Sequence, residues 1–263
     1  SMTEPESAGE WERALAAAAA APGLVMLLGA MDTGKTTLAA AAANMALARG
    51  MPVGVVDADV GQSEIGPPGT IGLALPRTPA DTAAGWRAAA LAFVGATAPP
   101  GRLLDVVVGT RRMVDEARRR GAEWVIVDTS GMIHGPAAVK LKLAKLEVLQ
   151  PTVLLALQRG RELEPVLRLV PSVCRASVVC LSPPAPARRA RRSAGGLGRA
   201  RRAARFAHYL RDARLHTIDP RRVPTADGWL FTGRPIEPLR LRAAAAAAGQ
   251  PVVYGEETAE GVR

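Results

Sequence analysis

Residues 29–36 read Gly-Ala-Met-Asp-Thr-Gly-Lys-Thr and match the pattern G-x-x-x-x-G-K-[ST]. Glycines at these positions let the backbone curl until its amide groups point at a phosphate, and Lys35 reaches the β- and γ-phosphate oxygens. Thr36 offers a hydroxyl to Mg²⁺. A buried strand precedes the motif and a helix follows it, so the sequence predicts binding of a nucleoside triphosphate. The predicted phosphate-binding residues are Gly29, Asp32, Thr33, Gly34, Lys35, Thr36 and Thr37.

Two carboxylates follow the second buried strand, in the run Val-Val-Asp-Ala-Asp that ends at Asp59. A P-loop phosphotransferase needs an acid for Mg²⁺ and a base for the acceptor hydroxyl. Asp57 and Asp59 are suited to divide these tasks, and a polar strand cap is the alternative. Asp128, at the tip of a neighbouring strand, is a third candidate. The predicted metal ligands are therefore Thr36, Asp57 and Asp128.

The positive charge of the chain is concentrated in one segment. The formal net charge is +10, and residues 188–222 contain twelve arginines and two acids, which accounts for the whole excess. A compositional bias toward arginine is the alternative, but such a bias would spread the excess along the chain. A basic block of this kind attracts polyanions, so a phosphate-binding role is favoured.

Short apolar runs alternate with helical patterns along the chain. This alternation predicts an α/β fold, a three-layer P-loop NTPase with a parallel central sheet covered on both faces. Ligands of such sheets bind at the carboxyl ends of the strands. Strands are predicted at 24–28, 53–56, 90–94, 124–127, 152–157 and 177–181, helices at 10–21, 34–49, 103–120, 136–149, 162–169 and 199–213, and loops at 60–70 and 183–198.

The organisation predicted from these patterns is an N-terminal helix over 1–21 and a P-loop domain over 22–213. A short C-terminal segment is expected at 214–263, with a β segment at Trp229–Phe231 and an alanine-rich tail. Acids near the N-terminus argue against a signal peptide, and no apolar run reaches the roughly 20 residues of a membrane span. With only Cys174 and Cys180, we expect no disulfide framework and a cytoplasmic location.

Five stretches follow one another in an order that resembles the P-loop polynucleotide 5′-hydroxyl kinases. The similarity covers about residues 22–210. The stretches are the phosphate-binding loop with Asp32, Asp57-Ala-Asp59-Val-Gly-Gln62, Phe93-Val-Gly-Ala-Thr-Ala-Pro99, Asp128-Thr-Ser-Gly131 with Gly135, and an arginine helix that ends in Arg205-Phe206-Ala-His-Tyr209.

The resemblance implies an enzyme that uses ATP and Mg²⁺ to phosphorylate the 5′-hydroxyl end of RNA or DNA. From the sequence itself, no membrane contact is expected and no obligate protein partner is evident. The resemblance implies that Asp59 is the general base and that the clasp at Thr129, Ser130 and Gly131 holds the acceptor strand. It also implies an arginine-rich lid over the transferring phosphoryl group, at residues 183–205. The implied catalytic residues are Lys35, Asp59, Arg199 and Arg202, and the implied nucleic-acid-binding residues are Gln62, Thr129, Ser130, Gly131 and Arg205.

The sequence departs from the family pattern at the clasp. Met132 stands where eukaryotic members have a tryptophan, which removes a stacking surface, and Asp128 stands where they have an asparagine. Only about 20 residues precede the strand before the phosphate-binding loop, so adenine contacts are not predictable. Two other functions stay open: a regulatory P-loop ATPase of the partitioning or metallochaperone kind, and a nucleic-acid-binding module with ATP as a structural ligand.

Overall fold

The computed structural model describes residues 6–20, 23–184, 194–217, 233–249, 254–258 and 261–262. The chain forms two compact units, Ser1–Arg211 and Asp212–Arg263. Within the described residues, no helix is long and apolar enough to cross a membrane. The boundary at 213 and 214 that the sequence suggests stays a prediction.

The first unit contains seven strands and seven α-helices among its described residues. A 3-10 turn at Ala83–Gly85 precedes the fourth strand. The strands are β1 (Leu24–Gly29), β2 (Val53–Ala58), β3 (Thr70–Ala74), β4 (Ala90–Phe93), β5 (Trp124–Thr129), β6 (Val153–Leu157) and β7 (Ser177–Leu181), and the helices are α1 (Glu6–Ala19), α2 (Lys35–Ala48), α3 (Leu103–Arg119), α4 (Pro136–Leu149), α5 (Glu164–Leu167), α6 (Val170–Val173) and α7 (Ala194–Tyr209).

The seven strands form one sheet in the order β4-β3-β2-β5-β1-β6-β7. The strands from β2 to β7 in this order run parallel, which confirms the predicted α/β class and places their carboxyl ends at one edge. Asp57 of β2 lies directly opposite Asp128 of β5 in the register. The loop after β1 opens at the same edge, so the sheet brings the predicted phosphate and acid residues together.

Alternate residues of the central strands enter two separate cores, one on each face of the sheet. Met26 and Leu28 of β1 pack into the core that contains apolar side chains of α3 and α4. Val25 and Leu27 pack into the other core, with α1 and α2. This alternation follows from the two-residue period of a strand, and it gives the three layers that the sequence predicts.

The structure corrects three expectations about elements. β3 lies in a region for which no strand was predicted, and it runs antiparallel to β2 and β4, so the sheet is not wholly parallel. The single helix expected at 162–169 is two short helices, because Pro165 and Pro171 each favour the start of a new helix. α7 begins at Ala194 rather than at 199. The predicted β segment at Trp229–Phe231 lies outside the described residues.

The second unit contains one helix and a small sheet among its described residues. The helix is α8 (Pro238–Ala248), formed by the predicted alanine-rich segment and closed by Gly249 in the left-handed conformation. β8 (Arg234–Pro235), β9 (Glu256–Thr258) and β10 (Gly261–Val262) form an antiparallel sheet in the order β10-β9-β8. Arg240 of α8 is paired with Glu257 of β9.

Candidate nucleotide and acceptor site

The loop between β1 and α2 has the backbone shape that phosphate binding requires. Gly34 at the N-cap of α2 has φ 92°, and Asp32 has φ 57°, so both lie in the left-handed region. A Cβ on Gly29 would lie 2.9 Å from the carbonyl oxygen of Leu157, so only glycine fits there. The amide groups of the first turn of α2 are thereby left open to an anion, at the positive end of the helix dipole.

The loop's polar side chains are held by the protein itself. Lys35 Nζ donates to Ala30 O at 2.6 Å, and Thr33 Oγ1 donates to the same oxygen at 2.9 Å. Thr36 Oγ1 donates to Asp128 Oδ2 at 2.6 Å. Burial lowers the pKa of Lys35, and the negative charge of Asp128 works against that shift. A phosphate that replaced the Ala30 oxygen would satisfy the ammonium group and offset its burial.

Asp57 fixes the loop that follows β2. Its two carboxylate oxygens accept hydrogen bonds from the backbone N–H groups of Asp59 at 3.1 Å, Glu64 at 2.5 Å and Ile65 at 3.0 Å. Burial, together with the negative charge of Asp128, raises the pKa of Asp57 to about 7, and the hydrogen bond from Ile65 opposes the shift. Asp57 therefore acts as the internal anchor of residues 59–65.

Asp59 lies one residue beyond the end of β2 and is only partly buried. Its Oδ1 accepts hydrogen bonds from the backbone N–H groups of Gly61 at 3.0 Å and Gln62 at 3.2 Å. Its Oδ2 accepts no hydrogen bond from any described residue. The same loop therefore fixes one oxygen of the carboxylate and leaves the other available to an acceptor proton.

Asp128 and Thr36 suit Mg²⁺ better than Asp57 does. Asp128 Oδ1 is buried and has no hydrogen-bond partner among the described residues, whereas both oxygens of Asp57 are engaged. Burial raises the pKa of Asp128 to about 6, and the nearby Lys35 ammonium opposes that shift. Among the described residues, no group of three or more acidic, histidine or cysteine side chains forms a complete metal site. Mg²⁺ needs only one or two protein carboxylates, because phosphate oxygens and water complete its shell.

The predicted clasp lies against the phosphate-binding loop. A Cβ on Gly131 would come within 2.6 Å of the backbone nitrogen of Met31, so this close approach requires glycine. Lys142 Nζ, from α4, donates to Thr129 Oγ1 at 2.9 Å and to Ser130 O at 2.5 Å. The buried amino group of Lys142 thus fixes the clasp through two hydrogen bonds.

α7 forms the opposite wall of a cleft of about 420 Å³ beside the Asp59 loop. Arg202 and Arg205 both line it, one helical turn apart, and Gln62 lines it from the other side. Arg199 lies on the same helix, but its side chain is outside the described residues. The cleft is lined by Gly61, Gln62, Ser63, Glu64, Pro68, Arg202, Ala204 and Arg205.

Lys142 and Lys145 were not predicted as functional residues, although their spacing indicates that they are buried. Lys142 and Lys145 lie among the buried positions of α4 at the spacing of its apolar stripe, where a lysine is unexpected. Burial lowers the pKa of Lys142 well below its usual range and that of Lys145 to about 8. Lys145 Nζ is fully buried and makes no hydrogen bond to a described residue. Lys142 is the one that reaches the clasp.

A known protein family matches the part of the chain that contains the phosphate-binding loop and the predicted acceptor residues. Residues 29–212 match the family described as mRNA cleavage and polyadenylation factor CLP1 P-loop. The chain belongs to the Clp1 P-loop family. This membership and the loop geometry make it a P-loop protein that binds nucleotide.

Archaeal relatives of this Clp1-family chain carry the name polyribonucleotide 5′-hydroxyl-kinase. One from Pyrococcus furiosus is 40% identical over 146 residues, which cover 56% of this chain and 41% of the relative. One from Methanocaldococcus jannaschii is 41% identical over 144 residues, 55% of this chain and 39% of the relative. The chain therefore spans about two fifths of the length of these relatives.

A solved structure of Clp1p in complex with Pcf11p shares the fold. The TM-score is 0.63 at 14% sequence identity, with 82% of this chain and 57% of that chain covered. At this identity the likeness supports the architecture alone.

Proposed function

We propose that this chain is a polynucleotide kinase that transfers the γ-phosphoryl group of ATP to the 5′-hydroxyl end of RNA, with DNA as the other possible acceptor. The observation that carries the proposal is the carboxylate of Asp59, whose Oδ2 accepts no hydrogen bond from a described residue and whose loop, residues 59–65, lines the cleft together with Arg202. The printed names of the archaeal relatives support RNA as the acceptor.

In the proposed step, the acceptor's 5′-oxygen attacks the γ-phosphorus in line. Its proton passes to Asp59, the bond from phosphorus to the bridging oxygen breaks, and ADP leaves. Lys35, Arg202 and Arg199 would stabilise the charge that spreads over the equatorial oxygens. Thr36 and Asp128 would hold Mg²⁺, which neutralises charge on the β- and γ-phosphates, and Asp57 would hold the loop of the base.

The acceptor strand would be held by the clasp and by the basic cleft. Thr129, Ser130 and Gly131 lie beside the phosphate-binding loop, and Gln62 and Arg205 line the cleft.

A cytoplasmic location also stays a prediction, which the two free cysteines support.

The test is transfer of label from γ-labelled ATP to matched oligonucleotides. We expect label on RNA with a 5′-hydroxyl end and none on the same RNA carrying a 5′-phosphate, because the phosphate removes the nucleophile. A DNA oligonucleotide of the same sequence ranks the acceptors. ATP hydrolysis without labelled oligonucleotide would contradict the kinase and support the regulatory ATPase.

A further inference from the structure

Trp11 of α1 lies against the phosphate-binding loop. Its Nε1 donates a hydrogen bond to Ser182 O at 3.1 Å, just beyond the end of β7. A Cβ on Gly34 would lie 2.8 Å from Cη2 of Trp11 and 3.5 Å from Cδ of Pro184. The indole, the last glycine of the loop and Pro184 therefore meet at one point. Glu10 Oε2 accepts a hydrogen bond from Ser182 N at 3.3 Å and fixes the helix at the same place.

The two sides of β1 differ in chemistry. On the side of β5 and β2, the strand tips carry Asp128, Asp57 and Asp59. On the side of β6 and β7, the residues directly after the strands are Gln158 and Ser182, which are uncharged. The transferred phosphate, the metal and the acceptor hydroxyl need the acidic side. The nucleoside of ATP is therefore left to the side where Trp11 lies.

We propose that the indole of Trp11 stacks on the nucleobase of bound ATP. The residue is only partly buried, so part of the indole surface is accessible to a ligand. Its hydrogen bond to Ser182 fixes the ring before the nucleotide arrives, which lowers the entropic cost of binding. Stacking on an aromatic face accepts any base, so this contact explains affinity rather than choice of adenine. The inference rests on the proposed use of ATP, but it concerns binding and not transfer.

The test compares two ligands that share phosphates and differ in the base. Calorimetry with the full chain gives the Kd of Mg-ATP and of inorganic tripolyphosphate, for the wild type and for Trp11→Ala. We expect the substitution to raise the Kd of ATP by about five- to a hundredfold, since that is the range for loss of one stacked base. Tripolyphosphate has no base, and its Kd should change by less than about twofold.

Two further variants separate stacking from packing. Trp11→Phe and Trp11→Leu both fill space beside Gly34, but only phenylalanine offers a π face. We expect Trp11→Phe to keep the ATP affinity within about threefold and Trp11→Leu to lose affinity as Trp11→Ala does. Equal losses for ATP and tripolyphosphate, an unchanged ATP affinity in Trp11→Ala, or equal affinities in the phenylalanine and leucine variants would overturn the proposal. Failure of label transfer to RNA would contradict the kinase alone, because these affinities are measured without an acceptor.

Discussion

The strand tips with Asp57 and Asp128, here called the strand-tip wall, and the side of α7 with Arg202 and Arg205, called the arginine wall, carry their charges in opposite ways. Of these four residues, only the two arginines line the cleft of about 420 Å³. Asp57 and Asp128, at the strand tips, are only 4% exposed, and hydrogen bonds hold their carboxylates. Arg202 and Arg205, on α7, are partly exposed and form no ion pair with any described residue. The strand-tip wall is thus organised before a ligand binds, whereas the unpaired arginines of the other wall are available to bind phosphate. A phosphoryl-transfer site needs both, because fixed groups set geometry and free cations neutralise charge that develops later.

The largest effect is expected on the arginine wall. Arg202→Ala should lower kcat for RNA phosphorylation by about a thousandfold, as loss of an arginine that stabilises the transferring phosphoryl group does. Arg202→Lys should restore the acceptor KM but not kcat, because lysine keeps the charge and loses the planar fork. Steady-state kinetics with RNA of varied concentration measures both constants.

The matched control is Arg211→Ala, which removes the same charge from the basic segment outside the cleft lining. It should leave kcat unchanged. Similar small changes in KM for Arg202→Ala and Arg211→Ala, with kcat intact in both, would show that the wall acts only through net charge.

A smaller effect is expected beneath the clasp. Lys142→Met leaves the oxygens of Thr129 and Ser130 buried without their donor, and each such loss costs about 1–3 kcal/mol. The clasp should shift, raising the acceptor KM by about tenfold while the Kd of ATP stays within about twofold. Lys140→Met, an exposed position on the same helix, is the control and should change neither value. An ATP affinity that falls together with the acceptor affinity would place Lys142 in general folding instead.

The smallest effect is expected in the stability of the strand-tip wall. The pKa of Asp128 is raised to about 6, so the folded protein holds this proton more tightly than the unfolded chain does. Ionisation of Asp128 therefore costs stability progressively as pH rises from about 4 to about 6, and the cost is complete at pH 8. Asp128→Asn removes that cost and also the repulsion that raises the pKa of Asp57.

The measurable quantity is the difference in Tm between Asp128→Asn and the wild type, in the absence of nucleotide. It should become more positive between pH 5 and pH 8 by at least about 2 °C, the shift that 1 kcal/mol produces in a chain of this size. A difference that is constant or shrinks with pH would show that the carboxylate is not held at an energetic cost.

The strand-tip wall was predictable from the sequence, and much of what supports it was not. The phosphate-binding loop and the positions of Asp57 and Asp128 follow from a spaced motif and from short apolar strands. β3 was missed because Thr70–Ala74 directly follows a glycine- and proline-rich loop and was assigned to it in part. Its pairing with β2 and β4 is a tertiary feature that the local pattern does not contain. Lys142 was missed because a lysine on a helix is expected to face solvent, and its acceptors belong to a loop before the helix.

The contact between Trp11 and Gly34 is likewise invisible in the sequence. It depends on how α1 docks on the end of β7 through the hydrogen bond from Trp11 to Ser182, 171 residues apart. Local patterns predict a helix there, but they carry no information about which turn of the helix meets the loop.

The central claim is that Asp59 is the base, and Asp59→Asn tests it most directly. Asparagine keeps an oxygen for the N–H groups of Gly61 and Gln62, so the loop should stay in place. Single-turnover transfer from ATP to 5′-hydroxyl RNA should slow by about 10²–10⁴-fold, with the Kd of ATP and the Tm unchanged. Transfer at the wild-type rate in this variant would contradict the assignment of the base and, with it, the division of labour between Asp57 and Asp59.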